Sequence, residues 1–195
     1  MKGQEALMKK ILVFLADGFE EIEALTLVDV LRRANVQVDT CSLEEKLVRG
    51  THDIYVQADV LLDEDLDEYD GIYLPGGMPG AKNLQENSKV QEMIKEYFSK
   101  GKLVSAICAA PIALNSTGIL KDKKGTSYPG FEDQLEYQEY VEAPVVVCDN
   151  LITSRGPATA LLVAFEILNY LGYKNETETI KEDMLFHLIV QNQKQ

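Results

Sequence analysis

Ile11-Leu12-Val13-Phe14-Leu15-Ala16-Asp17-Gly18 is the stretch on which the fold class turns. Five consecutive large apolar residues, stopped by a turn, show no alternation and are too few for a helix. Such a run marks a strand buried on both faces. Residues 20–35 follow at helical spacing, with Ile22, Leu25, Val28 and Leu31 forming an apolar stripe, acids at the front and Arg32-Arg33 at the back. That charge order complements a helix dipole. Residues 36–43 read as a second strand. Two strands joined through a helix run parallel, with a right-handed crossover.

The same alternation continues outward. Gly71-Ile72-Tyr73-Leu74 is a buried strand stopped by Pro75-Gly76-Gly77, and residues 88–100 form an amphipathic helix ending at Gly101. Leu103 to Ile107 is the next strand, leading at once into Cys108 and a helix through Leu114. Residues 48–50 and 54–56 suggest short strands or a hairpin, and the acidic run 63–70 a solvated linker or short helix. Residues 125–142 are loop-rich with one acidic helical piece. Residues 145–147 and 151–153 flank Asp149-Asn150 as a β-hairpin. Pro157 opens an apolar helix that Gly172 stops, and a short amphipathic helix is expected near residues 182–190. The 195 residues therefore predict one α/β domain, a three-layer sandwich on a mostly parallel sheet. Residues 1–8 read as an extension and 181–195 as a helical tail.

Charge and composition exclude several classes. Lys and Arg number 19 against 32 Asp and Glu, for a net charge of −13. A basic nucleic-acid surface is not expected at that balance, nor attraction to anionic membranes. No apolar run approaches the ~20 residues that span a bilayer. The polar N-terminus, with Glu5, does not resemble a secretory signal. Cys41, Cys108 and Cys148 form no CxxC pair, and the histidines are only His52 and His187. Neither a metal site nor a cofactor is expected, and a reducing cytoplasm is the expected compartment.

In α/β folds ligands bind beyond the carboxyl ends of the strands, so the residues just after each strand are the candidates. Cys108 is flanked by Ala106 and Ala110, with Pro111 in the first turn of the following helix. This is the pattern of a nucleophile elbow, whose tight turn needs small neighbours and holds its residue at positive φ. A helix N-terminus beside the sulfur would lower the thiol pKa. The bland alternative is a small buried hydrophobe; Cys41 and Cys148, which lack that context, read as structural. Glu20-Glu21-Ile22-Glu23 follows the first strand. These acids could simply suit the helix dipole, or Glu23, next to a core-facing Ile22, could be a partly buried proton carrier beside the thiol. Gly76 and Gly77 could make only a turn, or could aim backbone N–H groups at an oxyanion. No GxGxxG or GxxxxGK[ST] occurs, so dinucleotide and P-loop readings fail. Arg155 could pair with a carboxylate, hold a substrate anion or position a neighbour.

The strings Ala-Asp-Gly-Phe-Glu-Glu-Ile-Glu (16–23), Val-Asp-Val-Leu-Arg-Arg-Ala (28–34), Leu-Pro-Gly-Gly (74–77), Ala-Ile-Cys-Ala-Ala-Pro (106–111) and Thr-Ser-Arg-Gly-Pro (153–157) together resemble the ThiJ/PfpI superfamily. More narrowly they resemble its DJ-one branch, the Parkinsonism-associated deglycase group. The resemblance implies a flavodoxin-like fold, a homodimer and an oxidation-prone nucleophile at Cys108. It also implies a hydrogen bond from Glu23 to that sulfur, with backbone donors from Gly76, Gly77 and Ala109. Two departures stand out. Tyr128 occupies the place where many members carry a histidine, and a neutral phenol is a poor base at neutral pH. Ala109 follows the cysteine where the protease-like branch has histidine, which disfavours peptidase activity. The expected function is cofactor-independent handling of a small aldehyde or dicarbonyl, of the glyoxalase or deglycase type, by Cys108 and Glu23. The alternative is an oxidative-stress sensor or chaperone in which Cys108 becomes a sulfinate without turnover.

Overall fold

The computed structural model describes residues 8–64, 66 and 68–191. Residues 1–7 of the expected 1–8 extension, and residues 192–195 of the tail, lie outside the described residues. The elements run β1 (Lys10–Leu15), α1 (Glu21–Arg33), β2 (Gln37–Ser42), β3 (Leu47–Arg49), β4 (Tyr55–Gln57), β5 (Val60–Leu61), β6 (Gly71–Leu74), α2 (Gly80–Glu86), α3 (Ser88–Ser99) and β7 (Leu103–Ile107). They continue with α4 (Pro111–Asn115), β8 (Lys124–Gly125), β9 (Glu139–Tyr140), β10 (Val145–Cys148), β11 (Leu151–Ser154), α5 (Ala160–Leu171), α6 (Lys174–Asp183) and α7 (Phe186–Gln191).

Seven strands form one sheet in the order β10-β11-β7-β6-β1-β2-β5. Every pairing in it is parallel except that of β10 with β11. From β1 the chain moves one way to β2, and from β6 the other way to β7. Right-handed crossovers in opposite directions put α1 and α3 on opposite faces. The α5 helix packs on α1, while α2 and α3 pack with α4, so the sheet is covered on both sides. This two-sided burial explains the unbroken apolar strands: Ile11 to Leu15, Ile72 to Leu74 and Leu103 to Val104 have no exposed surface. The expected α/β architecture is the one observed.

Two expectations change. Ile22 and Leu25 do not face the core; they are 55% and 37% exposed. The inward stripe of α1 is Glu23, Ala24, Leu27, Val30 and Leu31, with an acid in the position that hydrophobicity alone assigns to an apolar residue. The tail is not one helix near 182–190. Leu185 sits at φ 59° and separates α6 from α7.

β1 is the branch point where the chain departs in two directions, and the crevice beside it, beyond the strand ends, is the place such sheets offer a ligand. The loop from β1 to α1 lies there with the turns after β6 and β7. The antiparallel β3–β4 hairpin is stitched onto that loop: Gly18 N–H donates to Arg49 C=O at 2.7 Å and Thr51 N–H to Phe19 C=O at 2.9 Å.

Candidate active site

Cys108 is the first of the three residues between the end of β7 and the start of α4, and its φ is 62°. A non-glycine residue in the left-handed region carries backbone strain. Two hydrogen bonds hold it there. Its N–H donates to Ser154 C=O at 2.9 Å, and its C=O accepts from Tyr128 N–H at 2.9 Å. The residue is 9% exposed, so it lies in a nearly closed setting.

Glu23 is wholly buried on the first turn of α1. Its Oε2 accepts from Gly76 N–H at 2.7 Å, and Oε1 has no hydrogen-bond partner. Burial pushes the carboxyl up to about 7, against the pull of Gly76 and of the Cys108 thiol. Burial, and then the Glu23 charge, push the Cys108 thiol up to about 12, while the amides of Ala109 and Gly77, directed at the sulfur, pull it down by less. The Glu23 charge raises the thiol while the thiol hydrogen bond lowers the carboxyl, so above neutral pH the pair keeps one proton, on the sulfur, over a wide range.

These values correct the expectation of a thiol ionised by a helix N-terminus. The helix that follows is only five residues long. Its dipole is outweighed by desolvation and a neighbouring carboxylate.

Gly76 is also placed differently from expectation. Its N–H serves the Glu23 carboxyl rather than the sulfur. Its lack of a side chain is what lets the strand ends close up: a Cβ there would stand 2.7 Å from Cys108 Cβ and 2.8 Å from Glu23 Oε2. Gly77, at φ 85°, and Ala109 are the amides that face the sulfur. Tyr128 is half exposed and borders the same site through its amide; its ring lies over Gly156, where a Cβ would meet it at 3.2 Å. Arg155 reaches toward Tyr140 Oη at 3.5 Å, with Glu132 close enough to feel its charge. Tyr140 contacts Ser127 Oγ at 3.1 Å, so among the three roles open to Arg155, positioning the 127–140 loop is the one these contacts describe.

The motifs did not reveal that Glu20 and Glu21 are also buried, nor that His52 belongs beside them. His52 N–H donates to Glu21 Oε1 at 2.7 Å, and Nδ1 lies 2.9 Å from Oε2. No local signal links residues 31 positions apart. Among the described residues, Glu20, Glu21 and His52 are the one grouping of metal-ligating atoms, all within 4.8 Å. Both Glu21 oxygens are already taken by His52, so the grouping is satisfied as an ion-pair cluster. Cys41 and Cys148 lie apart from all of this on β2 and β10, and no helix among the described residues is long and apolar enough to cross a membrane.

Residues 9–170 match the model of the DJ-1/PfpI family. The chain is 38% identical over 181 residues to protein dj-1beta of Drosophila melanogaster, covering 91% of this chain and 97% of that one. The crystal structure of the Drosophila protein superposes with a TM-score of 0.88 over 92% of this chain and 98% of that one, at 37% identity. Glutathione-independent glyoxalase DJ-1 of Schizosaccharomyces pombe is 32% identical over 91% of this chain and 98% of its own length. Protein DJ-1 homolog B of Arabidopsis thaliana is 42% identical over 162 residues, which are 82% of this chain but 37% of that longer protein.

Proposed function

The chain belongs to the DJ-1/PfpI family, and from that premise we propose that it converts reactive dicarbonyls such as methylglyoxal to 2-hydroxy acids, using Cys108 and Glu23 without a cofactor. The observation that carries the proposal is a fully buried carboxyl, which desolvation pushes up to about 7, packed with a strained cysteine and two amides directed at its sulfur. The glyoxalase name of the S. pombe relative supports this substrate class.

In this mechanism Glu23, ionised, takes the thiol proton as the sulfur adds to the aldehyde carbon. A base with a pKa near the working pH suits that transfer. The N–H groups of Gly77 and Ala109 hold the hemithioacetal oxyanion, which takes back the proton from Glu23 and leaves the carboxylate free. Glu23 then removes the hydrogen from the former aldehyde carbon as a proton and returns it to the adjacent carbonyl carbon, while the hydroxyl proton passes to the neighbouring oxygen, leaving a lactoyl thioester. Water cleaves the thioester, releasing lactate and restoring the thiol. The sequence is redox-neutral, since one carbon is oxidised as its neighbour is reduced. Tyr128 is kept as a wall of the site and not as a base. The experiment is turnover of methylglyoxal by purified protein, with lactate assayed directly. Equal rates for wild type and Cys108→Ala would overturn the proposal.

A second reading draws on the same two amides, which would also hold sulfinate oxygens. In that version mild peroxide adds two oxygens to Cys108 and no dicarbonyl turnover is found; intact-mass measurement beside the lactate assay separates the two. A homodimer is the proposed assembly in either case. The exposed Ile22 and Leu25 on α1 and Ile54 in the hairpin support it, and sedimentation tests it.

A further inference from the structure

Three carboxyls, Glu20, Glu21 and Glu23, are buried within the first turn of α1 and its cap. Negative charge that dense resists any further ionisation, and the charge on Glu20 pushes Glu23 up. A protein that uses Glu23 as a base needs something to offset its neighbours.

The offset comes from the tip of the β3–β4 hairpin. His52 Nδ1 stands 2.9 Å from Glu21 Oε2 and 3.8 Å from Glu20 Oε2, and the His52 backbone N–H holds Glu21 Oε1 at 2.7 Å. The other charges near the imidazole lie in its own hairpin: Asp53 follows it in the chain and is paired with Arg49, which leaves His52 to the acids of α1. The hairpin comes this close because Gly50 has no side chain; a Cβ there would overlap the Glu21 carboxyl.

A short path joins this clamp to the thiol. Glu20 N–H donates to Gly76 C=O at 3.0 Å, and Gly76 N–H donates to Glu23 Oε2 at 2.7 Å. Gly76 lies against Cys108 with no room for a methyl group between them. Where the first turn of α1 sits therefore sets where Glu23 stands relative to the sulfur.

We propose that His52 is a positioning residue for the Cys108–Glu23 pair: as an imidazolium clamped on Glu21 and Glu20, it lets Glu23 give up its proton at a lower pH than three clustered acids would allow. The proposal rests on Cys108 being the reacting thiol, and not on which carbonyl it takes. The charge states agree with it. The Glu21 hydrogen bond, and then the Glu20 charge, raise the His52 pKa, which favours the cationic ring. Burial works against ionised Glu21, but the hydrogen bonds from His52 and from its own backbone N–H, with the His52 charge, together hold that carboxyl below its ordinary value. In a single chain the His52 side chain is 66% exposed, so its field there is screened and salt-sensitive.

The test is the pH profile of Cys108 alkylation by iodoacetamide in the full chain, followed by peptide mass at low salt and at 1 M salt. His52→Gln removes the charge and keeps a side-chain donor; His52→Arg keeps a charge at every pH. At low salt the acid limb of His52→Gln is expected roughly half to one pH unit above wild type. The limb of His52→Arg should return to the wild-type position or below. Wild type in 1 M salt should move up toward the His52→Gln limb, a measurement that needs no variant. Coincident limbs for wild type and His52→Gln, equal displacement in both variants, or a salt-insensitive wild-type limb would each overturn the proposal. Because alkylation is the readout, absent dicarbonyl turnover would remove the proposed function without touching this result.

Discussion

Cys41 and Cys108 are both buried thiols at the sheet, and both are pushed up to about 12. Their settings differ in everything else. Cys41 lies inside β2, and burial accounts for its shift, with a lesser push from the Glu64 charge. Cys108 stands past the end of β7 at φ 62°, with a carboxyl of pKa about 7 against it and two amides directed at its sulfur. On the proposed function, a depressed thiol pKa is therefore not what would set Cys108 apart from Cys41. The difference would lie in a neighbouring proton acceptor and in a backbone that holds the sulfur out of the strand.

Four measurements would break or sharpen that contrast. Cys108→Ala should reduce lactate formation from methylglyoxal to background, while Cys41→Ala should stay within about twofold of wild type. Loss of activity in both would erase the distinction. Glu23→Gln keeps the shape and an acceptor for Gly76 N–H but cannot take a proton, so kcat/KM should fall about 10²–10⁴-fold. The wild-type rate should rise through pH 7 as Glu23 ionises, and the variant should lack that limb. The same substitution should act on stability with a definite sign. The folded pKa of Glu23 is raised from 4.5 to about 7, so the native state holds that proton more tightly than the unfolded chain. The contribution is full below pH 4.5 and is lost as pH rises through about 7. In urea titrations Glu23→Gln should match wild type at pH 4 and exceed it by up to ~3 kcal/mol at pH 9. Cys41→Ala leaves a small void under β2 and should cost ~1–2 kcal/mol at any pH between 5 and 8. That is the signature of packing alone.

Much of the fold was legible because burial on both faces writes strands as apolar runs. Ile11 to Leu15 and Leu103 to Ile107 were placed from that pattern, and the elbow at Cys108 from its small neighbours and Pro111. Its positive φ follows from the same local chemistry. Periodicity failed at Ile22 and Leu25, where the structure turns an acid inward and leaves the apolar residues out. A hydrophobic pattern scores Glu23 as solvent-facing, because nothing within the helix shows that Gly76 N–H will meet its carboxyl. The thiol was expected to be ionised by the helix after it, since sequence displays a helix start but not the desolvation around it.

By itself, then, the sequence determined the order of strands and helices, the residues at the strand ends and the tight turn at Cys108, because hydrophobic period and turn chemistry act over a few neighbouring positions. Only the tertiary structure decided that Glu23 lies against the sulfur, that Gly76 serves the acid and not the thiol, and that His52 closes on Glu21. Those outcomes depend on segments 31 and 53 residues apart meeting where water is excluded. There a single charge or N–H group shifts proton affinities that composition and spacing leave at their ordinary values.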